Sequence, residues 1–519
     1  MIETDPSACL ATSPGPEVPR VSSMELIGPE LQRFEKLLSS GGDERIAIDV
    51  AAGRNRYGTP RGMACGETWF SSSTASAISA RGYAGAAQAY CSIDGGRRPR
   101  ALPAWFDSIR SRLASLFGVA GSEIVLSASG TELELIALFL AQSIFRWPLT
   151  NLVVAPAETG SGVLLAASGR HFLGSSPFDP GAVRGAPING MEIPETLVDT
   201  IDIRDQSGSA RSADQIDEEI VRKVEAGIAD DRCVLVHLLD CSKTNLGGLR
   251  RSTAARLVER YNGRVLVVVD CCQLRCSPAQ IQADLRAGFM VMISGSKFAA
   301  GPPFAGAMLL PWQIVDQVGV LSLPPGLLGY TAADDWPVAL HNKIDRQFAI
   351  SRNMGTGLRW EAALAELERL FALPAQFREA VARVFSSKVE HCVRENSRLR
   401  LIDREPSNGL PTSRTIFPIV SAAHDGTPVA SDAIHRALRL PLSSGAASQA
   451  STRAFHVGQP VFVGNQSALR VCLSASHIVD VADNMAGQKV FEAAFVPLRS
   501  DLDNLFLKWA RVTDDICQN

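Results

Sequence analysis

The sequence lacks the features that mark membrane, secreted and nucleic-acid-binding proteins. None of its apolar runs is long enough to span a membrane, because proline, glycine or charge interrupts each one. The first residues, MIETDPSACLATSPGPEVPRVSS, contain neither the basic nor the apolar region of a secretory signal. The net charge is only -3, and the longest basic block is GRRPR at 96–100. We therefore expect a soluble cytoplasmic protein with no nucleic-acid or membrane partner.

The eleven cysteines lack the regular spacing of a metal site. Cys233 and Cys472 lie within apolar, strand-like runs, as buried free thiols of a reducing compartment do. Cys271, Cys272 and Cys276 are close together, but a strand would turn Cys271 and Cys272 to opposite sides. The sequence therefore predicts no metal site.

Composition and length predict a globular protein of more than one domain. Of the 519 residues, 46% are hydrophobic and 20% are charged, which is ordinary for a soluble fold. Residues 1–25 are rich in proline, serine and threonine, and we expect them to be disordered. The pattern then suggests three parts, which are an N-terminal segment packing on the active site (26–100), a large domain (101–345) and a small C-terminal domain (346–519).

Strand-like and helix-like segments alternate through the large domain. The predicted strands are 124–126, 151–155, 197–203, 233–239, 265–269, 289–293 and 306–310, and the predicted helices between them include 105–117, 213–229, 253–261 and 277–288. This alternation predicts an α/β fold with a mostly parallel sheet flanked by helices. The C-terminal part, with strands at 415–420 and 469–473 and a helix at 431–438, predicts a smaller α+β domain.

Two charged residues stand at the ends of neighbouring predicted strands. Asp270 follows the run VLVVV, and Lys297 follows FMVMISGS. The carboxyl edge of a parallel sheet is where ligands bind. A lysine there can form a Schiff base with the aldehyde of pyridoxal phosphate, and an aspartate can pair with its pyridinium nitrogen. Taken alone, Asp270 is better explained as a turn cap and Lys297 as a solvated surface residue.

A small-residue turn precedes a strongly apolar helix at Ser129, Gly130 and Thr131. Unpaired backbone N–H groups and the helix dipole at such a turn favour a phosphate. An ordinary helix N-cap is locally an equally good interpretation.

Residues 45–100 are unusually rich in small, hydroxylated and aromatic side chains, and such a stretch should pack against something larger or line a cleft. Asn55, Arg56 and the run Ser71–Ser76 are candidates for substrate contact, although such serine runs more often cap helices. His456, near Arg470, is a further candidate. His237 ends a buried strand and is predicted to be a core histidine.

Taken together and in this order, the segments resemble class V aminotransferases and cysteine desulfurases, which are fold-type I pyridoxal-phosphate enzymes. The resemblance covers about residues 100–480 and rests on short motifs. It implies that Ser129, Gly130 and Thr131 bind the cofactor phosphate and that Asp270 and Gln273, in Asp-Cys-Cys-Gln, bind the pyridine nitrogen and phenolic oxygen. Ser294 and Ser296, in Ser-Gly-Ser-Lys, would contact the phosphate, and Lys297 would be the catalytic lysine. Thr159 and Thr244 are further implied cofactor contacts.

The resemblance also implies a homodimer with shared active sites. Thr356, in Gly355-Thr356, would reach the phosphate from the partner subunit. Arg470 would bind the α-carboxylate of an amino-acid substrate, because a guanidinium suits a carboxylate.

Two departures from the family pattern limit the functional prediction. Thr159 stands where many members have a histidine or aromatic residue over the cofactor ring. The segment LSSGAASQAS has Ser448 and no cysteine, which disfavours desulfuration through a persulfide. The sequence thus favours an aminotransferase, with a lyase (β-elimination or kynureninase-like cleavage) as the alternative. A third possibility is a non-catalytic protein of the same fold, which the intact Asp270 and Lys297 disfavour.

Overall fold

The computed structural model describes residues 26–145, 148–191, 196–345, 348–402, 414–442, 452–486 and 490–518. The disorder expected for residues 1–25, and the segment around Ser448, lie outside the described residues. Within the described ranges, no helix is both long and apolar enough to cross a membrane.

The described chain forms two sheets surrounded by helices. The strands are β1 Glu67–Phe70, β2 Glu123–Ser127, β3 Leu149–Val154, β4 Leu197–Ile201, β5 Cys233–Leu239, β6 Val265–Cys271, β7 Met290–Ser294, β8 Gly306–Leu310, β9 Leu399–Leu401, β10 Ile416–Ser421, β11 Ala454–Val463 and β12 Gln466–Cys472. The helices are α1 Gly28–Leu38, α2 Ala80–Ser92, α3 Leu102–Phe117, α4 Gly130–Ile144, α5 Val163–Ala167, α6 Ala213–Ala229, α7 Arg251–Arg260, α8 Pro278–Arg286, α9 Trp312–Gln317, α10 Val338–His341, α11 Met354–Phe371, α12 Ala375–Arg394, α13 Ser431–Ala437, α14 Ala475–Ala486 and α15 Phe491–Gln518.

The large sheet has seven strands in the order β2-β8-β7-β6-β5-β3-β4. The pairs from β7 to β4 are all parallel, and β8 runs antiparallel to both of its neighbours. Every residue of β5, β7 and β8 is buried, as expected for strands covered on both faces. The predicted α/β fold with a mostly parallel sheet is therefore confirmed.

The small sheet contains a strand from the N-terminal segment. Its order is β1-β11-β12-β10-β9, and β1 pairs in parallel with β11. The other pairs are antiparallel. The chain before the large sheet thus reaches the small sheet and becomes an edge strand there.

Small residues in α2 allow it to pack closely against the long buried helix α11. A Cβ added at Gly82 would lie 3.1 Å from the carbonyl oxygen of Ala362, and one added at Gly85 would lie 2.8 Å from the Cβ of Ala365. Contacts this short leave no room for a larger side chain. The glycine- and alanine-rich composition of this part of the chain is therefore a packing requirement.

One buried arginine holds the N-terminal segment onto α11. Arg359 is fully buried, and its guanidinium donates to backbone carbonyls of two separate segments. Nε donates to Phe304 (2.5 Å), and Nη1 donates to Ser40 (2.5 Å) and Leu38 (3.2 Å). Burial lowers the pKa of Arg359 to about 9. Since these acceptors have few alternative donors, the arginine ties residues 38–41 to the loop before β8.

We expect Arg359→Met to loosen the N-terminal segment. Buried carbonyls left without donors should cost about 3 kcal/mol locally, or roughly a 100-fold rise in the rate of local opening. Limited trypsin digestion measures this as faster cleavage at Arg45, Arg54 or Arg61 below the melting temperature.

The matched control is Arg383→Met on α12, because Arg383 is exposed and has no hydrogen bond or ion pair within the described ranges. Equal cleavage rates in the two variants would contradict the role assigned to Arg359.

Candidate active site

The carboxyl ends of four parallel strands bring the predicted residues to one edge of the large sheet. In the order β7-β6-β5-β3, these ends lead to Lys297, Asp270, Thr244 and Thr159. β8 runs antiparallel to both β2 and β7, so β2 has the same direction as the four parallel strands. Its carboxyl end leads to Ser129 at the same edge. The sheet order therefore assembles residues that are far apart in the chain.

The charges of Asp270 and Lys297 act on the same buried thiol, that of Cys272. The carboxylate Oδ1 of Asp270 accepts a hydrogen bond from the backbone N–H of Cys272 (2.9 Å). Burial raises the pKa of the Cys272 thiol well above its usual value, with Asp270 adding to the rise and Lys297 opposing it. The backbone carbonyl of Lys297 accepts from Ser76 Oγ (3.1 Å). The Asp270 carboxylate and the Lys297 amine thus both act electrostatically on one buried thiol.

Three serine hydroxyls at this edge each accept a backbone hydrogen bond. Ser129 Oγ accepts from Glu132 N–H (3.3 Å), Ser294 Oγ from Ser296 N–H (3.2 Å), and Ser296 Oγ from Ala305 N–H (2.8 Å). A hydroxyl that accepts in this way keeps its own hydrogen for donation. Donors of this kind suit a phosphate.

The phosphate-loop candidate packs tightly against its neighbours. A Cβ added at Gly130 would lie 2.9 Å from Cys272 Sγ, next to Asp270. A Cβ added at Gly160 would lie 3.2 Å from the hydroxyl of Thr131. Glycine at these positions therefore lets the loop after β2 approach the turns after β6 and β3.

The acidic side chain that follows this loop is not a source of repulsion. Glu132 is buried, and its Oε2 accepts from Ser127 Oγ (3.0 Å) and from Ala128 N–H (3.0 Å). Burial and the charge of Asp43 raise the pKa of Glu132 to about 8. Since the carboxyl is mostly protonated at neutral pH, an anion can bind nearby.

Gln273 lies between β6 and the N-terminal segment. It is 4% exposed, and its Nε2 donates to the Ser73 carbonyl (3.0 Å). Its Oε1 has no hydrogen-bond partner among the described residues. A buried amide oxygen of this kind can accept a hydrogen bond from a ligand.

Arg470 is a buried arginine with unused donors. It is 1% exposed, and its Nη2 donates to Thr74 Oγ1 (2.8 Å) and to the Gln459 carbonyl. Nε and Nη1 have no partner within the described part of the chain. Burial lowers the pKa of Arg470 to about 10. Two unpartnered donors on a guanidinium fit a carboxylate.

A second lysine, Lys243, adds to the positive charge. Burial, with the charges of Arg470 and Lys297 adding to it, lowers the pKa of Lys243 to about 7, against an opposing effect of Glu158. Sequence reasoning missed Lys243, because a lysine in a strand-to-helix loop is ordinarily a solvated residue. The site thus holds three basic side chains, and anions such as a phosphate and a carboxylate would balance their charge.

Glu158 and Thr244 belong to a buried polar network. The Glu158 carboxylate is paired with Arg204 and accepts from Ser242 Oγ (2.8 Å) and from Thr244 Oγ1. Thr244 Oγ1 also accepts from Arg204 Nη2 (2.8 Å). Because its hydrogen is already donated, Thr244 supports the loop that carries Lys243, and its direct cofactor contact stays a prediction. Thr159 is partly exposed and donates to the Pro156 carbonyl (3.3 Å).

The substrate contacts predicted for Asn55, Arg56 and His456 draw no support from their placement. Asn55 Oδ1 accepts from the backbone N–H groups of Tyr57 (3.0 Å) and Thr59 (3.1 Å), so it stabilises a turn. Arg56 is exposed. The His456 ring stacks on Trp69 at 3.7 Å between centroids in the small sheet, and its Nε2 lies 3.2 Å from Glu67 Oε2.

Thr356 is fully buried in its own chain. Its Oγ1 accepts from Arg359 Nη2 (3.2 Å), and a Cβ added at Gly355 would lie 2.2 Å from the Ser40 carbonyl oxygen. The N-terminal segment therefore covers the surface from which Thr356 was predicted to reach a partner subunit. His237, by contrast, has the core role that was predicted, with Nε2 2.7 Å from Asn151 Oδ1.

The lowered pKa of Lys243 should destabilise the fold in a pH-dependent way. Between about pH 7 and the ordinary lysine pKa, the unfolded chain binds more protons at this residue than the folded chain, so stability rises with pH across that window. Lys243→Met should therefore raise the melting temperature more at pH 6.5 than at pH 10, measured without added ligands. The exposed Lys36→Met is the matched control, and a gain at Lys243 that is the same at both pH values would contradict the assignment.

Comparison with solved structures supports the fold. The cysteine desulfurase CsdA from Escherichia coli aligns over 87% of this chain and 96% of its own, with 14% identity and a TM-score of 0.52. A NifS-like protein from Rickettsia africae aligns over 86% and 99%, with 11% identity and a TM-score of 0.50. No protein-family model matches the chain, and no curated protein matches it. The chain has the fold of the class V, fold-type I pyridoxal-phosphate enzymes.

Proposed function

We propose that the protein is a pyridoxal-phosphate-dependent enzyme acting on an amino acid, and that it is an aminotransferase. The observation that carries the proposal is the pair Asp270 and Lys297 at one edge of the large sheet, together with Arg470 of the small sheet, which is buried and has two unused donors. The fold similarity supports it. Buried thiols favour a reducing compartment, and we place the enzyme in the cytoplasm.

The donor set fits the cofactor. Ser129, Ser294 and Ser296 each keep a hydroxyl hydrogen for a phosphate, with Thr131 beside them. Asp270 would hold the proton of a pyridine nitrogen, and Gln273 would bind the neighbouring ring oxygen. Lys297 would carry the cofactor. When bound, pyridoxal phosphate supplies an aldehyde that condenses with amines and a ring that withdraws electrons.

Each side chain then has one task in the reaction. Arg470 binds the substrate α-carboxylate through Nε and Nη1. Lys297, once its amine is free, removes the proton from the substrate α-carbon and can return it elsewhere. Asp270 would hold the ring nitrogen of the cofactor, and a carboxylate at that position would favour proton removal from the substrate. Neutral Glu132 leaves the phosphate end of the site without an opposing charge.

A lyase is the second candidate, and Lys243 is the observation that favours it. Elimination needs a group that protonates the departing substituent, in addition to the base at the α-carbon. Lys243 has a pKa near 7 and could serve as that acid. The homodimer is part of the proposal, but a contribution from Thr356 to the partner's site is not, because Thr356 is fully buried within its own chain.

Lys297→Ala tests the cofactor assignment. With pyridoxal phosphate added, the wild-type protein should gain a visible absorption band, and borohydride reduction should fix the cofactor on the peptide containing Lys297. The variant should lose both signals, because the condensing amine is gone. A wild-type adduct on Lys243, or no adduct at all, would sink the assignment.

Arg470→Met separates cofactor binding from substrate binding. It should keep the absorption band, while KM for the amino acid rises roughly 100-fold from the loss of two charge-assisted hydrogen bonds.

An activity assay of the wild-type protein decides the reaction type. An aminotransferase should release one equivalent of 2-oxo acid and stop until an acceptor 2-oxo acid is added, whereas continued turnover without an acceptor would establish the lyase.

A further inference from the structure

Three potential metal ligands meet behind the active-site edge of the large sheet. They are the thiols of Cys271 and Cys276 and the carboxylate of Asp240, and one ligand atom of each lies within 4.8 Å of the other two. Cys271 ends β6 directly after Asp270, and Asp240 follows β5. The two sulfur atoms are 3.7 Å apart. The cluster thus joins the loops that carry Asp270 and Lys243.

The chain brings Cys276 back under Cys271 through a tight turn. Leu274 has φ 51°, in the left-handed region, and its N–H donates to the Cys271 carbonyl (2.7 Å). Sequence reasoning excluded a site because Cys271 and Cys272 point apart. The structure agrees about Cys272, which packs against Gly130, but the turn supplies Cys276 in its place.

Asp240 has an unsatisfied oxygen within this cluster. It is 4% exposed, and its Oδ1 accepts from Arg251 Nη2 (2.7 Å). Its Oδ2 has no hydrogen-bond partner in the described ranges of the chain. A buried carboxylate oxygen without a donor is costly. This unpartnered oxygen is an independent observation that points to a cation ligand.

The separation of the two sulfurs fits one tetrahedral zinc ion. Zinc–thiolate bonds of about 2.3 Å at a tetrahedral angle put two sulfurs about 3.8 Å apart, and a sulfur and a carboxylate oxygen about 3.5 Å apart. The observed sulfur separation of 3.7 Å agrees with the first value without any movement. A disulfide would instead require the sulfurs to approach to about 2.05 Å.

Zinc binding would also leave the local charge unchanged. Zn²⁺ forms bonds to two sulfurs, and both S–H bonds break with release of two protons to solvent, so a charge of +2 replaces two protons. Arg251 already pairs with both Asp240 and Asp284, and this ion-pair network need not change. Cys276 is partly exposed, which gives the ion a way in.

We propose that Cys271, Cys276 and Asp240 bind a zinc ion, with water as the fourth ligand. The ion would tie the turn that carries Asp270 and Gln273 to the end of β5, and so hold the cofactor-side carboxylate in place. The site does not depend on the proposed enzymatic function, because none of its three ligands is assigned to the cofactor or the substrate.

Zinc titration of the full-length protein tests the proposal. Reduced, metal-free protein should bind one Zn²⁺ per chain in competition with a chromophoric chelator, and Co²⁺ should give a thiolate charge-transfer band. Cys276→Ser and Asp240→Asn should each weaken zinc binding at least about 100-fold, since even indirect ligand partners cost 10–100-fold. Circular dichroism should confirm that both variants fold.

Cys392→Ser is the matched control, because Cys392 also lies beside an aspartate, with its sulfur 3.9 Å from Asp503 Oδ1. It should bind zinc as the wild type does. Equal zinc affinity in the wild type and Cys276→Ser would overturn the proposal. A Cys271–Cys276 disulfide on mild oxidation, without measurable zinc binding by the reduced protein, would overturn it as well and identify a redox pair instead.

Discussion

Positive charge held out of water at the carboxyl edge of the large sheet is the constraint on which the site depends. The charges of Lys297 and of Arg470, which comes from the small sheet, both act on Lys243, and Arg470 has two donors with no partner in the described part of the chain. The nearby carboxyls do not cancel this charge. Glu158 is paired with Arg204, and burial raises the pKa of Glu132 to about 8. The site is therefore prepared for anions before any ligand binds.

The N-terminal segment fixes the geometry between these cations. Ser76 donates to the carbonyl of Lys297, and two residues earlier Thr74 accepts from Arg470. Ser73 accepts from Gln273 through its carbonyl. One short run therefore contacts the lysine that follows β7 and the arginine of β12. β1, directly before this run, is a strand of the small sheet, so the run joins the two sheets where Lys297 and Arg470 lie.

Much of the large domain could be predicted from sequence, because its strands are continuous apolar runs ended by polar residues. The run VLVVV predicted β6 at 265–269, and the observed strand is two residues longer, ending at Cys271. β1 and α2 were not predicted, since four residues show little alternation and α2 is rich in glycine and alanine rather than in large apolar residues. α2 depends on its contact with α11, and β1 on its pairing with β11. Both are tertiary interactions with no local signal.

The sequence by itself determined which strand ends carry the chemistry. Asp270, Lys297 and the Ser129–Thr131 turn stand beside apolar runs that could form only buried strands or a buried helix, so their position followed from local pattern. The tertiary structure alone decided which polar side chains have hydrogen-bond partners. Asn55 and Thr356 are bonded within the protein, whereas Arg470 and Asp240 retain free atoms. Hydrogen bonds between residues hundreds of positions apart, such as Arg470 to Thr74, depend on the packed fold and leave no trace in local sequence.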